Sequence, residues 1–171
     1  MAMICAACSI VERTPLPTSH RSFPVAEVTV QVGVVIITHA GAGEMLRRCV
    51  ASVAAGGGAD MVVVVDNSGT DFDDEAHGPD IDYVMRVENL GFGAAANAGF
   101  RKVIERFGPD CAMALLNDDV TVTPGWLGPL TSAIASDEHI GGVQPKMLVA
   151  DTEPRLVNSL GVKIDGAGAG S

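Results

Sequence analysis

Short, unbroken apolar runs separated by segments of helical period constrain this chain more than any other feature. Val28 to Thr38 reads as a strand, fully buried from Val34 to Ile37; Met61 to Val65 is a second, stopping at Asp66. Tyr83 to Val87 is a short third strand, Cys111 to Leu116 a fourth, and Val143 to Val149 a further one. Between them, Glu44 to Ala54 places Met45, Leu46, Cys49, Val50 and Val53 at helical spacing, and Gly93 to Phe107 forms a helix ended by Gly108-Pro109. Thr123-Pro124-Gly125 opens a last helix through Ala135, with Thr123 as its cap and Pro124 at the tolerated first position. Continuous apolar strands need cover on both faces, and parallel neighbours need a crossover long enough for a helix. The expected fold is α/β: a doubly wound, mostly parallel sheet with helices on both faces.

At 171 residues the chain suits one compact domain, and 47% apolar residues with 4% aromatics describe an Ala/Val-rich core. A formal charge of −10, with none of the 11 basic residues in a run, argues against nucleic acid as a partner. A small phosphorylated ligand is still compatible if a metal reverses the local field. Four scattered cysteines do not make a disulfide scaffold and point to a reducing, cytoplasmic setting. Cys5-Ala6-Ala7-Cys8 has redox or zinc spacing but no second pair, and Cys49 and Cys111 read as core cysteines. Nothing approaches the roughly 18 consecutive apolar residues of a membrane span. Residues 1–26, with Pro15, Pro17 and Pro24 and no period, read as a loose leader rather than a secretory signal.

The topology collects polar residues at one place, because open α/β sheets bind ligands at the carboxyl ends of their strands. Thr38 and His39 follow the first strand, Asp66-Asn67-Ser68 the second, and Asn117-Asp118-Asp119 the fourth. Adjacent carboxylates repel, and a divalent cation offsets that cost, whereas a solvated acidic turn is the plain alternative. Asp66 is placed to accept hydrogen bonds from a base or ribose, although Asp-Asn-Ser-Gly is also good turn chemistry in its own right.

Five segments in register carry a resemblance: Val34-Val-Ile-Ile-Thr38, Leu46-Arg-Arg-Cys-Val50-Ala-Ser52, Val64-Val-Asp66-Asn-Ser-Gly-Thr-Asp71, Glu88-Asn-Leu-Gly-Phe92-Gly-Ala-Ala-Ala-Asn97-Ala-Gly, and Leu115-Leu-Asn-Asp-Asp119-Val. Together with Pro124-Gly125-Trp126-Leu127, they resemble the nucleotide-sugar half of family 2 glycosyltransferases, with a rhamnosyltransferase-like subgroup among the relatives that share Asn117-Asp118-Asp119. The resemblance implies a GT-A, Rossmann-like fold and inverting transfer of a sugar from a nucleoside diphosphate, UDP- or dTDP-linked, to a hydroxyl of a glycan or glycolipid. It implies that Thr38, His39 and Ala40 line the nucleotide pocket and that Asp66 contacts the base or ribose. The segment holding Asn89, Gly91 and Asn97 packs beneath the donor, Asn117 and Asp118 lie against it, and Asp119 binds Mg²⁺ or Mn²⁺. It also implies cell-wall or polysaccharide synthesis in the cytoplasm, with peripheral association at the inner face of the plasma membrane.

The chain departs from the family pattern in three places. Ile37-Thr38-His39-Ala40 lacks the tyrosine ring that often stacks near the base, which leaves His39 as its substitute or as a solvated loop residue. Asp71-Phe72-Asp73-Asp74-Glu75 adds negative charge near a site for an anion, and is expected to be a solvated cap. The family takes its general base from an acid downstream of the metal motif, where only Asp151, Glu153 and Asp165 follow Val149. Residues 27–150 are therefore expected to form the donor domain, residues 151–171 the start of a truncated acceptor region, and the base to be absent. A non-catalytic nucleotide-sugar-binding module is one alternative. An NAD-binding oxidoreductase is another, since Gly91-Phe-Gly93-Ala-Ala-Ala96 fits G-x-G-x-x-A, though not in the first strand-to-helix turn.

Overall fold

The computed structural model describes residues 3–6 (backbone only), 30–39, 43–69, 79–89, 91–137 and 139–161. In chain order these form β1 (Met3–Ala6), β2 (Val32–Thr38), α1 (Glu44–Gly56), β3 (Met61–Asp66), β4 (Tyr83–Arg86), α2 (Phe92–Phe107), β5 (Ala112–Asn117), α3 (Leu127–Ala135), β6 (Gly142–Val143), β7 (Met147–Leu148) and β8 (Val157–Ser159). The main sheet has the order β4-β3-β2-β5-β1-β6; β7 and β8 form a separate two-stranded ribbon.

Strands β4, β3, β2 and β5 are mutually parallel, in register at Val34↔Val62, Val35↔Leu115 and Val65↔Met85. The doubly wound α/β expectation holds, and the reason lies in the two core layers. Val34, Ile36, Val62, Val64, Ala114 and Leu116 face α1 and α3, whereas Val35, Ile37, Val63, Val65, Met113 and Leu115 face α2. Since side chains alternate along a strand, only an unbroken apolar run can fill both layers.

Two glycines set how α2 seats. A Cβ on Gly99 would lie 2.3 Å from Val35 Cγ1, and one on Gly33 would lie 2.3 Å from Val103 Cγ1. Residue 99 thus meets 35 while residue 103 meets 33, so the helix runs antiparallel to β2. Its N-terminal residues Gly91 and Phe92 consequently lie at the carboxyl edge of the sheet.

The structure corrects several boundaries. Met3–Ala6, read as part of a loose leader, pairs antiparallel with both β5 and β6 and covers an edge of β5 that would otherwise expose unpaired backbone groups. The first strand begins at Val32 rather than Val28. The last helix begins at Leu127, not Thr123: Gly125 adopts φ 72°, a left-handed conformation that a helix cannot contain, and its N–H bonds Gly56 O at 2.9 Å. The strand expected over Val143 to Val149 is split between β6 and β7, because Pro145 supplies no ladder N–H.

Candidate functional site

The chain winds outward from β2 through β3 to β4 and returns to β5 on the other side of β2, so the strand order reverses between β2 and β5. In such sheets a crevice opens at that reversal, outside the carboxyl ends. Residues from both strands close on each other there. Asp118 N–H donates to Ile37 O at 3.1 Å, and Thr38 Oγ1 donates to Asp118 Oδ2 at 2.6 Å. Thr38 is 1% exposed, so its hydroxyl acts on Asp118 from beneath.

Asp118 and Asp119 are the central residues of a turn closed by Val120 N–H to Asn117 O at 3.3 Å. Adjacent turn positions send their side chains apart. Asp118 is half-buried against Thr38, while Asp119 is exposed, and among the described residues no hydrogen bond or ion pair engages its carboxylate. Asn117 Oδ1 is buried without a partner among the described residues.

At the neighbouring corner Asp66 is 1% exposed, and its Oδ1 accepts the Ser68 N–H at 2.9 Å. The turn chemistry of Asp-Asn-Ser-Gly is thus realised. Asn67 N–H donates to Thr38 O at 2.8 Å, and Asn67 O accepts a hydrogen bond from His39 Nδ1 at 3.0 Å. A carbonyl can only accept, so Nδ1 carries a proton, and in the neutral form of this exposed ring Nε2 is the acceptor. Among the described residues Asn67 Oδ1 is also buried without a partner.

Of the sequence-predicted residues, Thr38, His39, Asp66, Asn117, Asp118 and Asp119 gather along this edge. Asn89 and Gly91 are exposed at the approach to α2, where Gly91 adopts φ 87°, and the Asn89 N–H lies 3.6 Å from where a Cβ of Gly69 would be. Asn97 is exposed in the second turn of α2, between the buried Ala96 and Ala98. Ala40 and the acidic run Asp71 to Glu75 lie outside the described residues, as does Cys8.

Two residues of α1 make contacts that escaped the sequence reading. Cys49 is the core cysteine the sequence suggested, fully buried, and what went unread is that its Sγ also lies 3.6 Å from Asn117 O, directly under the acids. Burial pushes its thiol from 9.0 up to about 12, with Asp118 and Asp119 adding to the rise. Ser52 Oγ donates to Cys49 O at 2.7 Å and accepts the Val122 N–H at 3.0 Å.

A measurable consequence follows for alkaline stability. Because the folded thiol holds its proton above the unfolded value, its contribution is complete below about pH 9 and is lost as the pH climbs toward 12. Between pH 8 and 10 the wild type should lose about 1.4 kcal/mol of unfolding free energy relative to Cys49→Ala, one pKa unit of linkage. Parallel urea titrations read this directly; identical pH slopes for the two proteins would disprove the raised thiol.

No group of three or more His, Cys, Asp or Glu capable of caging a metal occurs among the described residues. The donors at the turn are all oxygens: the free Asp119 carboxylate, the second oxygen of Asp118 and the orphaned Asn117 Oδ1. Such a set suits a hard cation held by one or two carboxylates and completed by water and substrate phosphates. The described residues at the turn fit an ion shared with a ligand.

A family model described as Glycosyl transferase family 2 matches residues 33–159, from β2 through β8. No curated protein matches the chain.

Proposed function

The chain belongs to glycosyltransferase family 2, and from that premise we propose that its carboxyl edge binds a nucleoside diphosphate sugar, UDP- or dTDP-linked, for inverting transfer to a hydroxyl of a glycan or glycolipid. The observation that carries this reading is the exposed Asp119 carboxylate, engaged by no described residue, on the turn after β5, at the strand-order reversal of a sheet matched by the family.

The residues divide the work as follows. Thr38 turns Asp118 toward β2, which leaves Asp119 as the outward carboxylate of the pair. Asp119 and Asn117 Oδ1 would hold Mg²⁺ or Mn²⁺ together with the diphosphate. That ion, when bound, offsets the charge that develops on the departing diphosphate. The base and ribose would lie over the corner formed by His39, Asn67 and Asp66, where Nε2 of a neutral His39 ring presents an acceptor. Asn89, Gly91 and the first turn of α2 border the same edge, and the helix N-terminus adds partial positive charge there. Among the described residues no helix is long and apolar enough to cross a membrane. The proposed setting is the cytoplasm, including the inner face of the plasma membrane where glycolipid acceptors lie.

Calorimetric titration of UDP, dTDP, GDP and NAD, each with and without Mn²⁺, tests the reading. Binding of one nucleoside diphosphate that requires the metal supports it. NAD binding without metal would replace it with a dinucleotide-binding function. Because the described residues offer too few ligands for a cage, Mn²⁺ and the nucleotide should assist each other. Each should raise the other's affinity by the same factor, about tenfold or more. Tight Mn²⁺ binding unaffected by nucleotide would contradict a shared ion.

A further inference from the structure

Three residues spaced i, i+3 and i+7 on α1 contact three successive points of the chain from the last residue of β5 onward. Cys49 Sγ reaches Asn117 O, Ser52 Oγ accepts the Val122 N–H, and Gly56 O accepts the Gly125 N–H. The spacing puts all three on one stripe of the helix. Gly56 also lets Trp126 lie close, since a Cβ there would be 2.8 Å from the indole Cδ1. The segment carrying Asp118 and Asp119 is thereby held along the C-terminal half of one α1 face, and Asp119 falls between the first two tethers.

We infer that Ser52 is a positioning residue for the acid turn: it fixes Asp119 in its outward position before any ligand arrives. Its hydroxyl is the one side-chain tether of the stripe that both donates and accepts, to Cys49 O within the helix and from Val122 N–H across to the turn. The bond to Cys49 O orients the hydroxyl so that a lone pair faces Val122. Removing the oxygen frees the Val122 N–H and lets the stretch 118–122 move, while the helix survives, because alanine is the best helix former. A carboxylate that must be ordered on binding gives weaker affinity than one held in place beforehand.

The inference rests on the donor site proposed above, and two readouts separate its failure from that of the site. The first is amide hydrogen exchange of wild type, Ser52→Ala and Ser52→Thr. Val122 and its neighbours in 118–122 should exchange at least about tenfold faster in Ser52→Ala and return toward wild-type rates in Ser52→Thr, which keeps a hydroxyl. The second is calorimetric titration of UDP, with and without Mn²⁺, on the same proteins. Ser52→Ala should lose about tenfold in Mn²⁺-dependent affinity while metal-free binding of UDP is unchanged. Unaltered exchange in 118–122, or an equal loss with and without Mn²⁺, would overturn the positioning role alone. Absence of metal-dependent binding of UDP, dTDP and GDP by the wild type would overturn the donor site and the role together. Should Ser52→Ala fail to fold, Ser52→Cys, which keeps the bulk but accepts poorly, gives the same comparison.

Discussion

Asp119→Asn should abolish the metal-dependent part of nucleoside diphosphate binding, a loss of at least about 100-fold, or about 2.7 kcal/mol. The substitution keeps the size and the turn while removing the negative charge. The carboxylate is exposed and engaged by no described residue, so the folded protein loses little: unfolding free energy should stay within about 0.5 kcal/mol of wild type, as for other surface changes. Affinity and stability therefore separate at this position. Asp118→Asn should behave differently. One of its oxygens already accepts the Thr38 hydroxyl at 2.6 Å, and an amide oxygen can still accept that bond, so the loss of metal-dependent affinity should be smaller than for Asp119→Asn. Titrations of UDP with Mn²⁺ on the two variants provide the ranking. Equal losses would mean that both carboxylates hold the ion, and full retention in Asp119→Asn would remove this residue from the site.

Much of this arrangement was legible in the chain. Runs such as Val34 to Ile37 and Met61 to Val65 leave no polar position for a solvent face, so they demand a sheet covered on both sides, and the acids after such strands then fall on one edge. The convergence of Thr38, Asp66 and Asn117-Asp118-Asp119 followed from that alone. What each residue does within the cluster was not legible, because it depends on which hydrogen bonds close across strands. Thr38, expected to line the nucleotide pocket, is almost completely buried, and its hydroxyl donates to Asp118. Asp66 spends one oxygen on Ser68 and is nearly inaccessible.

The contacts of Ser52 and Cys49 were invisible for a related reason. Small residues on a helix read as filler unless the segment they touch is known, and Val122 lies 70 residues away. The spacing of Cys49, Ser52 and Gly56 was the available signal, but it marks a stripe of close approach without saying to what. Strand β1 was missed because four residues cannot display a period, and only their pairing between β5 and β6 gives them a place.

The second large effect concerns how α2 brings its N-terminus to the site. Gly99→Ala places a Cβ 2.3 Å from Val35 Cγ1, 3.2 Å from Val35 Cγ2 and 3.1 Å from Val65 Cγ2. Both valines are completely buried and β-branched, hence stiff about χ1, so neither can turn away without striking its own neighbours. Overpacking of this kind typically costs 1–3 kcal/mol, and more where the helix must lift. Against it stands the roughly 1 kcal/mol by which alanine outranks glycine within a helix. With both valines immobile the clash should exceed its usual range, leaving the variant about 2–3 kcal/mol less stable, a large share of a domain's typical 5–15 kcal/mol. Gly93→Ala is the internal control: it lies in the same helix with nothing within 4 Å of its Cβ, and it should gain up to about 1 kcal/mol. The decisive comparison is Val35→Ala, which should destabilise the wild type by opening a cavity yet restore stability to Gly99→Ala by making room for the new methyl group. Urea unfolding of the four proteins completes this double-mutant cycle. Additive losses would mean that α2 accommodates the methyl by shifting, and the close seating of the helix on Val35 would then not be what holds its N-terminus at the carboxyl edge.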